Sequence, residues 1–142
     1  MDIAKLRQEA ESGSVVAQSV LGLCYLEGFE VEVDYKEAFR LLSTAAEKGA
    51  PRAVAGLARM HAKGLGIPTN LPEAIRLYEF AAKAGEFLAQ IELARIYSRG
   101  RKEVADPQAA LRWYSAAAAQ EGNVADCDQE LQEAKAYVRG SI

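Results

Sequence analysis

The sequence has 142 residues, 50% of them hydrophobic and 26% charged, with eleven Gly, four Pro and two Cys. That is one domain's worth of chain with enough apolar material for a packed core, which excludes a disordered chain and a scaffold held by disulfides. The net charge is −3; the lack of clustered Lys and Arg flanking exposed aromatics argues against a nucleic-acid binder, and the lack of any apolar run near the roughly 18 residues of a membrane span argues against a transmembrane protein. The opening residues lack a basic stretch followed by an apolar one, so no secretory signal is read and a cytoplasmic location is expected. Cys24 and Cys127 are expected to be thiols, and with one His they do not make a familiar zinc site.

Residues 1–12 read as the second helix of a preceding unit, with Leu6 and Ala10 standing where Leu42 and Ala46 do. The next helix falls near 15–27, where Ala17, Leu21 and Tyr25 stand at i, i+4 and i+8 and Gly28 is suited to end it. Asp34 followed by Glu37 is an N-cap with a carboxylate three residues on, and it opens a helix near 35–48 that Gly49 closes. Ala53, Leu57 and His61 ending at Gly64, then Asn70 and Glu73 before a helix near 71–84, restate the same plan. So do Ala89, Leu93 and Tyr97 ending at Gly100, then Asp106-Pro107 before a helix near 107–120. A polar closing helix over 123–138 carries Asp126, Asp128, Glu130 and Glu133, as the terminal cap of a helical array needs.

These elements recur at an offset of 36 residues. Gly13/Gly49/Gly85, Ala17/Ala53/Ala89, Leu21/Leu57/Leu93, Gly28/Gly64/Gly100, Ala38/Ala74/Ala110, Arg40/Arg76/Arg112 and two Ala columns ending at Ala117 and Ala118 all align. Small residues at Gly22/Ala58/Ala94 and in the Ala pairs mark the closest helix crossings. The final linker glycine, Gly122, comes one residue late, so the third unit carries an insertion in its second helix or exit turn.

The pattern Ala17-x3-Leu21-Gly22-x2-Tyr25-x2-Gly28, then Asp34-x3-Ala38-x6-Ala45-Ala46-x2-Gly49, resembles the Sel-one-like repeat (SLR), a branch of the tetratricopeptide-like helical repeats. The resemblance implies an all-α, right-handed α/α solenoid of three SLR helix pairs. It forms a single domain over 1–142, with a capping half-repeat at 1–13, units at 14–49, 50–85 and 86–122, and a closing helix over 123–142. It also implies a non-catalytic protein-binding adaptor with first helices on the concave face. Two further functions follow from the same likeness: a one-to-one inhibitor such as a bacterial immunity protein, and, remotely, a hydrolase of the β-lactam-binding type.

No catalytic residue is assigned, because no phosphate-binding loop, metalloprotease pair, nucleophile elbow or Ser-x-x-Lys stands in the sequence. His61 shares a column with Tyr25 and Tyr97 and reads as an aromatic substitute; Cys24 reads as an inert buried thiol. Gly64-Leu-Gly66 follows a helix and belongs to the repeat turn. The Arg40/Arg76/Arg112 column reads as scaffold, pairing with a neighbouring carboxylate or covering apolar surface with its stem. No cofactor and no metal are expected.

One first-helix face reads Val16, Val20, Leu23, Glu27, then Arg52, Gly56, Arg59, Lys63, then Leu88, Glu92, Arg95, Arg99. Residues 50–102 are net basic between two net acidic ends. The expected partner is therefore a protein or peptide with acidic character, held by the arginine forks with its apolar side chain on Val20 and Leu23. Partner contacts are assigned to Val20, Leu23, Arg52, Arg59, Lys63, Glu92, Arg95 and Arg99. A monomer is favoured over a homo-oligomer, and neither nucleic acid nor membrane is expected as a partner.

Overall fold

The protein is described here by a computed structural model covering residues 1–124 and 127–141. Among the described residues there are eight helices and no strand. They are α1 (Ile3–Glu11), α2 (Val15–Glu27), α3 (Tyr35–Glu47), α4 (Pro51–Lys63), α5 (Leu71–Lys83), α6 (Phe87–Arg99), α7 (Pro107–Ala118) and α8 (Asp128–Val138). Second helices end one or two residues short of expectation, and the closing helix starts at Asp128 rather than 123. Asp126, assigned to the cap by sequence, lies outside the described residues. The chain divides into two compact units, Met1–Phe80 and Ala81–Ile142.

The helix starts follow the expected caps. Asp34, Asn70 and Asp106 each accept a hydrogen bond through Oδ1 from the backbone N–H three residues on, at 3.1, 3.2 and 3.0 Å. The reciprocal half of the capping box is spent elsewhere: Glu37 and Glu73 turn their carboxylates to Arg40 and Arg76. Each first helix is tied to the next cap by the backbone alone. The N–H groups of Asp34, Asn70 and Asp106 donate to the carbonyls of Tyr25, His61 and Tyr97 at 2.9, 2.8 and 3.0 Å.

The exits differ. Gly28 and Gly64 adopt the left-handed conformation that ends a helix, with φ of 73° and 67°. Gly100 ends α6 in an extended conformation, φ −71° and ψ 176°. Its glycine is required for another reason: a Cβ there would stand 2.1 Å from the Ile96 carbonyl oxygen. The insertion in the third unit lies in the exit turn, since α7 stops at Ala118 and the left-handed glycine comes at Gly122.

In the Met1–Phe80 unit, Leu26, Ala38, Leu42, Ala45, Ala53 and Met60 form one buried cluster, and Ala10, Ala17, Leu21 and Leu41 form another. The second cluster draws on α1, which behaves as the second helix of a preceding unit. Ser14 N–H bonds the Glu9 carbonyl just as Ala50 bonds that of Ala45 and Glu86 that of Ala81. In the Ala81–Ile142 unit, Phe87, Ile91, Ala94, Tyr114, Ala117, Leu131 and Ala134 make the core, with Trp113 and Tyr137 packed against it. Ala at the crossings permits close axes, and at the equivalent point of α2 Gly22 is squeezed further, its missing Cβ site lying 2.8 Å from Leu42.

Candidate functional site

Within the Met1–Phe80 unit, α2 and α4 bring three of the sequence-assigned residues, Val20, Leu23 and Arg52, to one recess. It is a hollow of about 170 Å³ lined by Met1, Val20, Leu23, Cys24, Glu27, Phe29 and Arg52. Val20 and Leu23 are half-buried at its wall and Phe29 is exposed at its lip. Phe29 entered no column comparison because it lies in the turn after Gly28. Gly56 is buried, and a Cβ on it would meet Leu23 at 3.0 Å and Leu42 at 3.1 Å, so its small size serves helix packing.

The charges on this unit are unequal. Arg59 Nη1 is 3.1 Å from Glu27 Oε1, so its charge is answered from α2. Arg52 and Lys63 are exposed and carry no ion pair among the described residues. Arg52 stands at the recess itself. Burial, then the carboxylates of Glu27 and Glu30, pushes the Cys24 thiol above its ordinary pKa, which keeps it protonated and unreactive at neutral pH. Its Sγ lies 3.9 Å from the Met1 sulfur.

In the Ala81–Ile142 unit, Arg95 is enclosed by carboxylates. Its Nη1 donates to Glu92 at 2.7 Å, and its Nε and Nη2 donate to Glu133 at 2.9 and 2.7 Å. Arg99 lies 3.4 Å from Glu133, more loosely and with most of its side chain in solvent. Tyr114 Oη donates to the same carboxylate at 2.6 Å. The Arg95 guanidinium first, and Tyr114 after it, hold Glu133 below the ordinary carboxylate range. The arginine's own pKa is raised in turn. Burial and the neighbouring Glu133 push Tyr114 up to about 12. Arg95 and Glu92 thus sit in a network that fastens α8 to α6, and Arg95 has no fork left over for a guest carboxylate. Column comparison missed Glu133 because α8 stands after the last full unit and shares no column with Arg95.

Other residues singled out by sequence take structural places. His61 is half-buried with its carbonyl in the turn bond described above, and its Nδ1 has no hydrogen-bond partner among the described residues. Arg40 pairs with Glu37 at 2.6 Å and Glu11 at 3.2 Å, and Arg76 with Glu73, the scaffold role expected of that column, whereas Arg112 is exposed with no ion pair among the described residues. Among the described residues no His, Cys, Asp and Glu cluster is suited to hold a metal ion, and no helix is long and apolar enough to cross a membrane.

Comparison with known proteins agrees with this geometry. A sequence model described as Sel1 repeat matches residues 15–49, 51–86 and 88–121. The crystal structure of a Sel1 repeat protein from Oxalobacter formigenes is similar at 40% identity and a TM-score of 0.70, over 93% of this chain and 98% of that one. A protective antigen present in uropathogenic Escherichia coli strains, which displays an SLR fold, is similar at 28% identity and a TM-score of 0.80. That match covers 95% of this chain and 27% of the antigen. No curated protein matches. The helix pairs and these likenesses give the α/α solenoid class expected from the repeat.

Proposed function

The chain belongs to the Sel1 repeat family, and from that premise we propose that it binds a partner segment in the recess of its first unit. Sel1 repeat proteins are generally protein-interaction modules and typically non-catalytic scaffolds. In our reading the partner places an apolar side chain against Val20, Leu23 and Phe29, and an adjacent carboxylate on Arg52. Lys63, farther along α4, extends the attraction for an acidic segment. The observation that carries this reading is Arg52, an exposed cation beside an apolar hollow with no carboxylate of its own among the described residues. Arg59, whose charge is answered by Glu27, contributes less.

Helices hold Val20, Leu23, Arg52 and Lys63 in place before the partner arrives, so little ordering cost falls on this side of the complex. Attraction through exposed cations weakens with salt. We place the protein in the cytoplasm, a reading supported by the buried thiol of Cys24, and as a monomer.

The test is affinity capture from cells of the source organism with the wild type, Arg52→Glu and Leu23→Asp, each checked for folding by circular dichroism. A partner held by the wild type and lost by both variants supports the assignment. Equal capture by all three removes the recess from the function.

A further inference from the structure

A second surface lies on the same unit, between α3 and α5. Val54 and Leu57 of α4 floor a groove of about 400 Å³ between α3 and α5, walled by Leu77 and Phe80 with Ser43 and Glu47 at its α3 edge. Phe80 is 51% exposed there. The same positions one repeat earlier show why this groove stands open.

Between α1 and α3, the buried Gln18 donates from Nε2 to the Ala10 carbonyl at 3.1 Å. Arg40 reaches across to Glu11 at 3.2 Å while keeping Glu37 at 2.6 Å. Thirty-six residues on, Val54 stands for Gln18 and Phe80 for Thr44. Arg76, in the place of Arg40, turns both Nε and Nη2 onto Glu73. Glu47, the equivalent of Glu11, is left exposed with no ion pair among the described residues. Ser43 Oγ is buried at the same edge with no hydrogen-bond partner among the described residues. One repeat closes its groove with its own cation; in the next, Arg76 also lines the groove but is turned to Glu73, which leaves Glu47 unanswered beside the apolar floor.

We propose that this groove docks a partner segment that carries Lys or Arg beside a large apolar side chain. The cation meets Glu47 as Arg40 meets Glu11, and the apolar side chain covers Val54, Leu57, Leu77 and Phe80. The chemistry is opposite in sign to that of the Arg52 recess, so the two surfaces select different segments. A basic group gains here by answering an uncompensated carboxylate at the edge of an apolar, water-excluding contact.

A random peptide display library panned against the full chain tests this, with enriched peptides then measured by fluorescence polarisation. The variants are Glu47→Gln, Val54→Gln/Phe80→Thr and Arg52→Glu. Enriched peptides are expected to join Lys or Arg to a large apolar residue, to bind Glu47→Gln about tenfold more weakly, and to lose Val54→Gln/Phe80→Thr, which carries the preceding repeat's residues. Arg52→Glu should leave their binding unchanged, which separates this surface from the recess. If the double variant melts early, Phe80→Thr alone replaces it, because that side chain is exposed. The proposal is overturned if no such peptides are enriched, if they bind the groove variants as they bind wild type, or if Arg52→Glu abolishes their binding.

Discussion

Tyr114 and Glu133 meet at 2.6 Å, the phenol donating from the core of the second unit to a carboxylate that Arg95 grips with two nitrogens. The ring is fully buried and also packs on Tyr137, with centroids 4.5 Å apart. A single carboxylate thereby links α6, α7 and α8. Its removal should be felt as loss of the closing helix before loss of the repeat.

Tyr114→Phe keeps the packing and removes the donor. The expected cost is roughly 2 kcal/mol, the scale of a hydrogen bond to a charged group, read as a lower denaturation midpoint. Alkaline titration followed by tyrosinate absorbance should show one tyrosine ionising at about pH 12 in the wild type, and Tyr114→Phe should delete that step. A raised folded pKa means this contribution is complete below the ordinary tyrosine value of about 10 and fades as pH climbs through the folded value.

Glu133 has the opposite sign. Its folded pKa is lowered, so its contribution is complete above the ordinary glutamate value of about 4.3 and is lost as pH falls through the folded value. Acid unfolding followed by circular dichroism should therefore weaken α8 first, and Glu133→Gln should flatten that part of the profile. A profile with the same acid slope in Glu133→Gln would remove Glu133 from the pH dependence.

The two buried glutamines predict unequal costs. Gln90 donates to the Ala82 carbonyl at 3.1 Å and accepts from Gln120 at 2.9 Å, whereas Gln18 donates to the Ala10 carbonyl and leaves its Oε1 buried without a partner among the described residues. Gln90→Leu should cost about 1–2 kcal/mol, and Gln18→Leu less, because the second change also removes an unsatisfied acceptor. Urea melts of the two variants decide the order.

At Gly22 an added methyl would stand 2.8 Å from Leu42 and 3.3 Å from Leu41. Gly22→Ala is thus expected to destabilise by about 1–3 kcal/mol through overpacking, even though Ala is the better helix former and occupies the equivalent positions 58 and 94. A thermal midpoint equal to or above wild type would mean that Leu42 repacks without strain.

What could be read in the sequence is what repeats. Period, caps and the stripe of small residues are local or columnar, so Asp34, Asn70 and Asp106 were legible at sight. Interactions that break the period were not. Arg59 finds Glu27 on the previous first helix and Arg95 finds Glu133 beyond the last unit, so two aligned arginines that looked alike as letters have different partners. The open groove over Val54 depends on which of two carboxylates Arg76 chooses, a rotamer that no column records.

The backbone bonds from Asp34, Asn70 and Asp106 to Tyr25, His61 and Tyr97 each close a loop over the same count of residues. The turn after α7 holds an extra residue and still delivers the chain to α8 through Gly122. Tolerance for length change is therefore lopsided. An engineer wishing to splice a tag or tether into this chain should use the junctions after the second helices and leave the loops inside each helix pair uncut.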